Sequence, residues 1–318
     1  MKPAKNLPPP IHLIALVLPN SGLLALAATI DPMRAANRMA GRQIYTWEIR
    51  SISGDRVPMT TGIAIPSQPI TADTRADILA VIAGFNLRQH ATPALRQLLR
   101  SFARRLPLIC GIDGGGEILA RAGLLNGQRA TTHWEDLEDL SLEFPEIEVV
   151  RDRFVQSGKF ITTGGAAPCI DMMLHLIETH HGRALAEAVI RTFLYDPRAG
   201  SAPQSRVSVS RLQQRAPKVA KAVLLMEANL EDPPKMAEIA RACGLSVRRL
   251  EMLFQQEFGI GPGRYFRQLR LQEARRMVLD TPRQLQDIAV RCGFNSQAAF
   301  SRAFAGYFGQ NPQALRTG

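Results

Sequence analysis

Near its carboxy terminus this chain contains the same element twice. Ile239-Ala-Arg-Ala-Cys-Gly244 recurs as Ile288-Ala-Val-Arg-Cys-Gly293, an offset of 49. Ser246, Leu250, Phe254, Phe258, Gly259 and Pro262 recur as Ser296, Phe300, Phe304, Phe308, Gly309 and Pro312, an offset of 50. The extra residue falls between Gly293 and Ser296, inside a glycine turn. Each copy therefore reads as a helix, a short turn and a second helix. Two helix-turn-helix units in one chain point to double-stranded DNA as the partner.

In the first copy Lys235–Cys243 is expected to support, and Ser246 to cap, a second helix over Val247–Phe258. Leu250, Phe254 and Phe258 recur every fourth residue and take the buried face. Arg248, Arg249 and Met252 are left outward, near the end that enters a major groove. In the second copy Leu285–Cys292 supports, Asn295 and Ser296 form the cap region, and Phe300, Phe304 and Phe308 pack. Gln297, Ala298, Ser301 and Arg302 point outward. Gln suits bidentate pairing to adenine, and Arg suits guanine or phosphate. Between the copies Pro262 starts a helix to about Leu279, carrying Arg264, Arg267, Arg270, Arg275 and Arg276. Each arginine alone reads as a solvated helix face. Within a duplicated DNA-binding architecture they are expected to meet DNA. Such a spacer would hold the recognition helices about 34 Å apart, one turn of DNA.

The charge agrees with that reading. Residues 201–318 carry 18 Lys and Arg against 9 Asp and Glu, whereas residues 1–200 carry 21 against 19. The basic excess lies with the repeat, as an electrostatic footprint for phosphate requires. The four cysteines, Cys110, Cys169, Cys243 and Cys292, form no CxxC pair, so no metal site or cofactor is expected. Cys243 and Cys292 occupy one slot in the two copies and read as small buried hydrophobes. Reduced thiols fit a cytoplasmic location. Ile11–Leu18 follows Lys2 and Lys5 and mimics a secretory signal. Pro19-Asn20-Ser21-Gly22 ends the run at a length suited to a buried strand and too short to span a membrane.

Residues 1–10 are proline-rich and read as a loose leader. From Ile11 to about residue 195 strands alternate with helices. Strands are expected at Ile11–Leu18, Tyr45–Ser53, Ile78–Ala83, Leu106–Ile112 and Phe160–Thr163. Helices are expected at Leu23–Ala40 (with a break near Pro32), Thr92–Arg105, from Glu117, and at Ala166–His180. This alternation argues a parallel sheet covered on both faces. Residues 196–217 lack apolar period and read as an interdomain linker. Residues 218–318 read as helical to the end.

The sharpest local feature of the first domain is Leu106-Pro-Leu-Ile-Cys-Gly-Ile-Asp-Gly-Gly-Gly-Glu117. A buried strand runs into Asp113, three glycines and a helix, the geometry of a nucleophile elbow. The glycines are expected to permit a strained backbone. Helix-start N–H groups near Glu117 could meet an anion. No Gly-Lys-Ser/Thr follows, so this is not a nucleotide P-loop.

Residues 218–316, and above all Ile288-Ala-x-x-Cys-Gly-Phe-x-Ser-Gln-x-x-Phe-Ser-Arg-x-Phe-x-x-x-Phe-Gly-x-x-Pro312, resemble the DNA-binding domain of AraC-family transcription regulators. Met252 and Ala305 stand where that family often has basic residues. Residues 11–195 resemble the class I glutamine amidotransferase-like fold in its PfpI-type branch. The matching stretches include Asp31-Pro-Met-Arg-Ala-Ala-Asn37, the elbow, Ala122–Trp134, Phe160–Pro168 and Asp171–Ile177. The resemblance implies an α/β flavodoxin-like sandwich joined to an all-α tandem helix-turn-helix domain. In catalytic relatives the elbow residue is a cysteine activated by histidine. Asp113 stands there in this chain, and a carboxylate does not attack an amide as a thiolate does. Cys110 lies three residues too early.

The chain is therefore expected to be a ligand-responsive transcription regulator, an activator by resemblance, and not an enzyme. The alternative is an amidase or protease-like enzyme with a DNA-binding appendage. An ionised Asp113 would favour a cationic group, and the fused regulators it resembles include ones responding to arginine, glycine betaine or carnitine. The expected pocket comprises Asp113, Gly114, Asn20, Ser21 and Phe85, with His133 and Trp134 either completing it or simply packing a loop. For Asp113 the alternative is a cap on the following helix. A homodimer, a small-molecule effector and RNA polymerase complete the expected partners, with no membrane.

Overall fold

The computed structural model describes residues 8–202, 204, 212, 215–281 and 283–317. It separates into two compact units, Met1–Gln204 and Ser205–Gly318. Residues 1–7 of the expected leader lie outside the described residues. Among the described residues no helix is long and apolar enough to cross a membrane.

The first unit is built on a seven-stranded sheet. Its strands are β1 (Ile11–Val17), β2 (Tyr45–Ser51), β5 (Gln68–Pro69), β6 (Ile78–Ala83), β7 (Leu108–Asp113), β10 (Phe154–Ser157) and β11 (Phe160–Thr163), in the order β10-β11-β7-β6-β1-β2-β5. Four two-residue strands, β3 (Val57–Pro58), β4 (Ala64–Ile65), β8 (Arg129–Ala130) and β9 (Glu148–Val149), form two small ribbons beside it. The pairings from β5 to β11 are parallel, and β10 joins the edge antiparallel. An all-parallel sheet is thus corrected at one edge. The turn at Gly158, with φ of 56°, lets β10 fold directly back on β11 and removes the need for a crossover helix.

Period-2 alternation explains why both faces are dry. Along β1, Leu13, Ala15 and Val17 join one core, with α1 (Leu23–Ala40), α6 (Ala166–His181) and α7 (Arg183–Phe193). Ile14, Leu16 and Leu18 join the other, with α3 (Pro93–Arg105) and α4 (Gly115–Arg121). β6 does the same with Ile78, Ala80 and Ile82 against Leu79, Val81 and Ala83. A strand buried on both faces reads as a continuous apolar run, which is how these strands appear in the sequence. Two shorter helices, α2 (Leu87–His90) and α5 (Leu137–Glu143), complete the unit.

One further expectation is corrected. Helix α1 runs unbroken through Pro32, which is buried in its interior. The stretch read as an interdomain linker is tied to the first unit in its first part. The Arg198 N–H donates to the buried Asp171 carboxylate at 2.9 Å, and Asp171 also takes Arg153 at 2.9 Å and the Tyr195 hydroxyl at 3.0 Å. Gln204 donates through Nε2 to Thr131 Oγ1 and to the Thr132 and Asp152 carbonyls. Residues 203, 205–211, 213 and 214 of that stretch lie outside the described residues, and a helix already starts at Pro217.

The regular structure of the second unit is all helix among its described residues. Its helices are Pro217–Ala228, Met236–Ala242, Val247–Phe258, Pro262–Asp280, Leu285–Arg291, Gln297–Phe308 and Pro312–Thr317. They build two small cores rather than one. The long helix Pro262–Asp280 gives Tyr265, Phe266 and Leu269 to the first core. It gives Leu271, Ala274, Met277 and Val278 to the second. The nineteen-residue helix spans about 28 Å at 1.5 Å per residue, so it is a stiff tie between the two copies.

Candidate nucleic-acid interface and effector site

In both copies the turn between helices is made the same way. Gly244 and Gly293 adopt φ of 63° and 67°. Leu245 N–H donates to Ala240 C=O at 2.9 Å, and Phe294 N–H to Ala289 C=O at 2.8 Å. These bonds satisfy carbonyls that a helix end leaves open. Ser246 and Ser296 cap the second helices by accepting from the N–H of Arg249 and Ala299, each at 3.2 Å. Leu250, Phe254, Phe300 and Phe304 are fully buried, while Phe258 and Phe308 are only half-buried. The opposite faces leave Arg248, Arg249, Met252, Asn295, Gln297, Ala298 and Arg302 exposed. Ser301 is half-buried. The Arg249 guanidinium rests 3.6 Å from Met252 Sδ.

The spacer arginines divide. Arg264, Arg267 and Arg275 are exposed. Arg270 is not available to DNA: Nε donates to the Cys292 carbonyl at 2.7 Å and an Nη to that of Gly293 at 2.6 Å. Its guanidinium also lies 4.5 Å from the centre of the Phe294 ring. It therefore closes the end of the second supporting helix. Arg276 is half-buried and paired with buried Glu273 at 2.8 Å. The sequence showed a charge stripe, and only packing separates free members from internal ones.

In the first unit β2-β1-β6-β7-β11 run in the doubly wound order, so the topological switch point lies between β1 and β6. Ligands of such sheets bind beyond the carboxyl ends of the strands there. Among the described residues four non-glycine residues have positive φ, and three of them sit at or beside that place. They are Asn20 (60°) after β1, Asn86 (57°) after β6, and Asp113 (59°) at the end of β7. Each left-handed residue stores strain, and such strain gathers at functional sites. Asn86 was missed in the sequence, although an Asn two residues beyond the apolar run and its glycine is the available signal.

Hydrogen bonds lace these strand ends together. Phe85 N–H donates to the Asn20 carbonyl at 3.3 Å. Gly114 N–H donates to that of Ala83 at 2.9 Å, and Asp113 N–H to Thr163 Oγ1 at 3.2 Å. Thr132 Oγ1 donates to the Asp113 carbonyl at 3.4 Å, which sets the 131–134 loop against the elbow. Phe85 is exposed, Asn20 half-buried. Ser21 is a correction. It is fully buried and its hydroxyl is directed to the carbonyls of Leu18 (2.6 Å) and Ile82 (3.1 Å), so it fastens β1 to β6 and is taken up inside the fold. Gly114 is a second. Its N–H is committed to Ala83, and the space above its Cα is filled by Leu87.

The strain sits on Asp113, not on the glycines. Gly114 has φ of −66°, and none of the three has positive φ. They are needed for close approach: a Cβ on Gly115 would lie 2.0 Å from Val81 O, and one on Gly116 2.8 Å from Thr131 O. Helix α4 begins at Gly115 rather than at Glu117, and Gly114, not Asp113, is its N-cap, without any side-chain cap. Glu117 is bound to Arg121 at 2.6 Å. Burial outweighs that ion pair and raises the Glu117 carboxyl.

The Asp113 carboxyl has no hydrogen-bond or ion-pair partner among the described residues, and burial pushes it up to about 6. It is a half-buried acid able to ionise near neutrality. His133 Nδ1 lies 3.5 Å from the Glu135 carboxylate, and its ring is 5.5 Å from that of Trp134. Both are half-buried, and His133 packs on Gly165 where α6 begins. Cys110 is buried within β7, and burial raises its thiol far above its ordinary value, so it carries no thiolate at the elbow.

Known proteins agree with both halves. A helix-turn-helix domain family matches residues 239–318, and the DJ-1/PfpI family matches residues 27–179. The HTH-type transcriptional regulator GbdR of Pseudomonas aeruginosa is 35% identical over 306 residues, covering 95% of this chain and 83% of that protein. An isonitrile hydratase of Pseudomonas putida is 31% identical over 155 residues, 47% of this chain and 67% of that enzyme. The crystal structure of an AraC family transcriptional regulator from Pseudomonas putida superposes with a TM-score of 0.53 at 22% identity, over 58% of this chain and all of that one. That last likeness concerns the fold alone.

Proposed function

The chain belongs to the HTH-type transcriptional regulators that join a DJ-1/PfpI domain to an AraC-type DNA-binding domain, and on that footing we propose that it is an activator switched by a small cationic or zwitterionic nitrogen compound. It is a DNA-binding regulator and not an enzyme. The effector class is an amino acid, betaine or carnitine type. The single observation that carries this is Asp113: a strained, half-buried carboxyl without a partner among the described residues, at the end of the strand beside the switch point of the sheet.

In this reading Asp113 takes the ligand's positive charge. Asn20, Asn86 and Phe85 frame it, and His133 and Trp134 close the side, where the indole can stack on a cation. Residues 11–195 sense, and residues 218–318 read DNA through Arg248, Arg249, Met252, Asn295, Gln297, Ser301 and Arg302, with Ser246 and Ser296 holding the helix ends. The protein acts in the cytoplasm as a homodimer and recruits RNA polymerase. Ligand shifts the population toward the dimer geometry that places both DNA-binding units on the operator. The activator sign follows the family resemblance.

A thermal-shift panel on the full chain tests the effector class. Amino acids, betaines, carnitine and choline are supplied at millimolar concentration. A ligand at a hundred times its Kd adds about 2.7 kcal/mol, or several degrees. One selective compound, lost in Asp113→Ala, is the expected result. Equal shifts in wild type and variant would remove Asp113 from the ligand site, and no shift across the panel would favour a vestigial pocket or a ligand outside it.

A further inference from the structure

The second unit holds a groove of about 510 Å³ between the spacer helix and the second recognition helix. One wall is Arg264, Arg267, Gln268 and Leu271, spaced as a single helical stripe. The other wall includes Arg302 and Tyr307. Leu271 is buried beneath it, while the three arginines and the Tyr307 ring are exposed. No acidic side chain lines the groove, and none of the three arginines has an ion-pair partner among the described residues. Holding like charges together without counter-charges costs free energy unless an anion enters. Arg270, one helical turn beyond Arg267 on the same helix, is by contrast fully used inside the protein.

We propose that this groove grips the DNA phosphate backbone where it crosses between the two major grooves, with Arg264 and Arg267 as sequence-independent contacts. The proposal rests on the DNA-binding function. The base-reading positions Gln297 and Ala298 lie at the amino-terminal end of the recognition helix. The groove uses the stripe that begins at Arg302 and continues to Tyr307, facing the spacer. An arginine fork matches phosphate geometry, and a phenol hydroxyl adds a neutral donor. Arg302 stands at the boundary and can serve either edge. The stiff spacer then fixes register as well as separation, because its own first turns hold the intervening strand.

The test uses full-length wild type, the double variant Arg264→Gln/Arg267→Gln, and a control, Arg34→Gln/Arg104→Gln, that removes two exposed charges from the first unit. Glutamine is an adequate helix former, so the fold should persist, and a melting curve verifies it. The wild type selects a duplex from a random pool, and affinities are measured across salt on that duplex and on a shuffled one. The expected result is roughly a tenfold loss on both duplexes, an unchanged ratio between them, and a salt slope about 2 shallower. The control keeps the wild-type slope. An unchanged slope, or a loss confined to the selected duplex, overturns the proposal while leaving DNA binding intact. Failure of the wild type to select any duplex overturns the DNA-binding function itself. Inorganic phosphate is the last arm. If it stabilises the wild type and not the double variant, with equal DNA affinities, the groove holds a free anion and the backbone contact is refuted.

Discussion

Replacing Asp113 by Asn isolates the electrostatic cost of the elbow. Asn tolerates the left-handed region as Asp does, so φ of 59° is kept without added strain. The carboxyl rises from an ordinary 3.8 to about 6 because burial disfavours its charge. At 1.36 kcal/mol per pH unit, the ionised group costs the folded chain about 3 kcal/mol at pH 8. The folded value lies above the unfolded one, so the folded state prefers the protonated acid. The penalty is nearly absent below pH 3.8, grows as pH rises to about 6, and is constant beyond. Asn carries no charge at any pH. The variant should therefore be more stable than wild type by about 3 kcal/mol at pH 8 and by roughly half that at pH 5. In melting temperature the larger figure is about 6–12 °C for a unit of this size. Urea unfolding at both pH values reads it directly. A variant equal to wild type at pH 8, or a difference independent of pH, would mean that the carboxyl is solvated or partnered. The carboxyl would then carry no cost for a bound cation to relieve. If the difference is found, the same penalty is what a bound cation relieves, and ligand affinity should rise as pH passes through about 6.

Gly115→Ala should cost about 3 kcal/mol or more in denaturant unfolding, because its Cβ would meet the Val81 carbonyl at 2.0 Å; a loss below 1 kcal/mol would show that α4 can slide away. Ser246→Ala and Ser296→Ala should each lower stability by about 1 kcal/mol and weaken DNA binding, since each removes the bond that fixes a recognition-helix start. Intact binding in both would detach the caps from recognition. Arg302→Ala should weaken binding more than Arg248→Ala in an anisotropy titration, because Met252 stands where the first copy of the family often has a basic residue; equal losses would sink that asymmetry.

Much of this was legible because the signals were periodic. The Leu250-Phe254 and Phe300-Phe304 spacings fix a buried stripe, and that stripe decides which arginines remain outside. The double-sided burial of β1 and β6 shows in their unbroken apolar runs. What stayed hidden depends on tertiary neighbours. Nothing local distinguishes Arg270, capping carbonyls of another helix, from Arg267, which is exposed. Ser21 reads as a polar loop residue, yet its hydroxyl is directed to the Leu18 carbonyl three residues back and to that of Ile82, which the sheet brings to it. The glycines after Asp113 suggested strain by type. Their true reason is the proximity of Val81 and Thr131, which lie far away in sequence. Asp113 itself was legible through the strand-to-helix turn, but its unpartnered carboxyl was not.

If the duplicated helices of one chain read two successive major grooves, the spacing is written into the DNA that the protein selects. Full-length protein is therefore used to select binding sites from a random duplex pool. The expected outcome is two conserved blocks centred about 10–10.5 base pairs apart, the second reading depending on Gln297 and Arg302. A single block, two blocks at variable spacing, or no enrichment would contradict it.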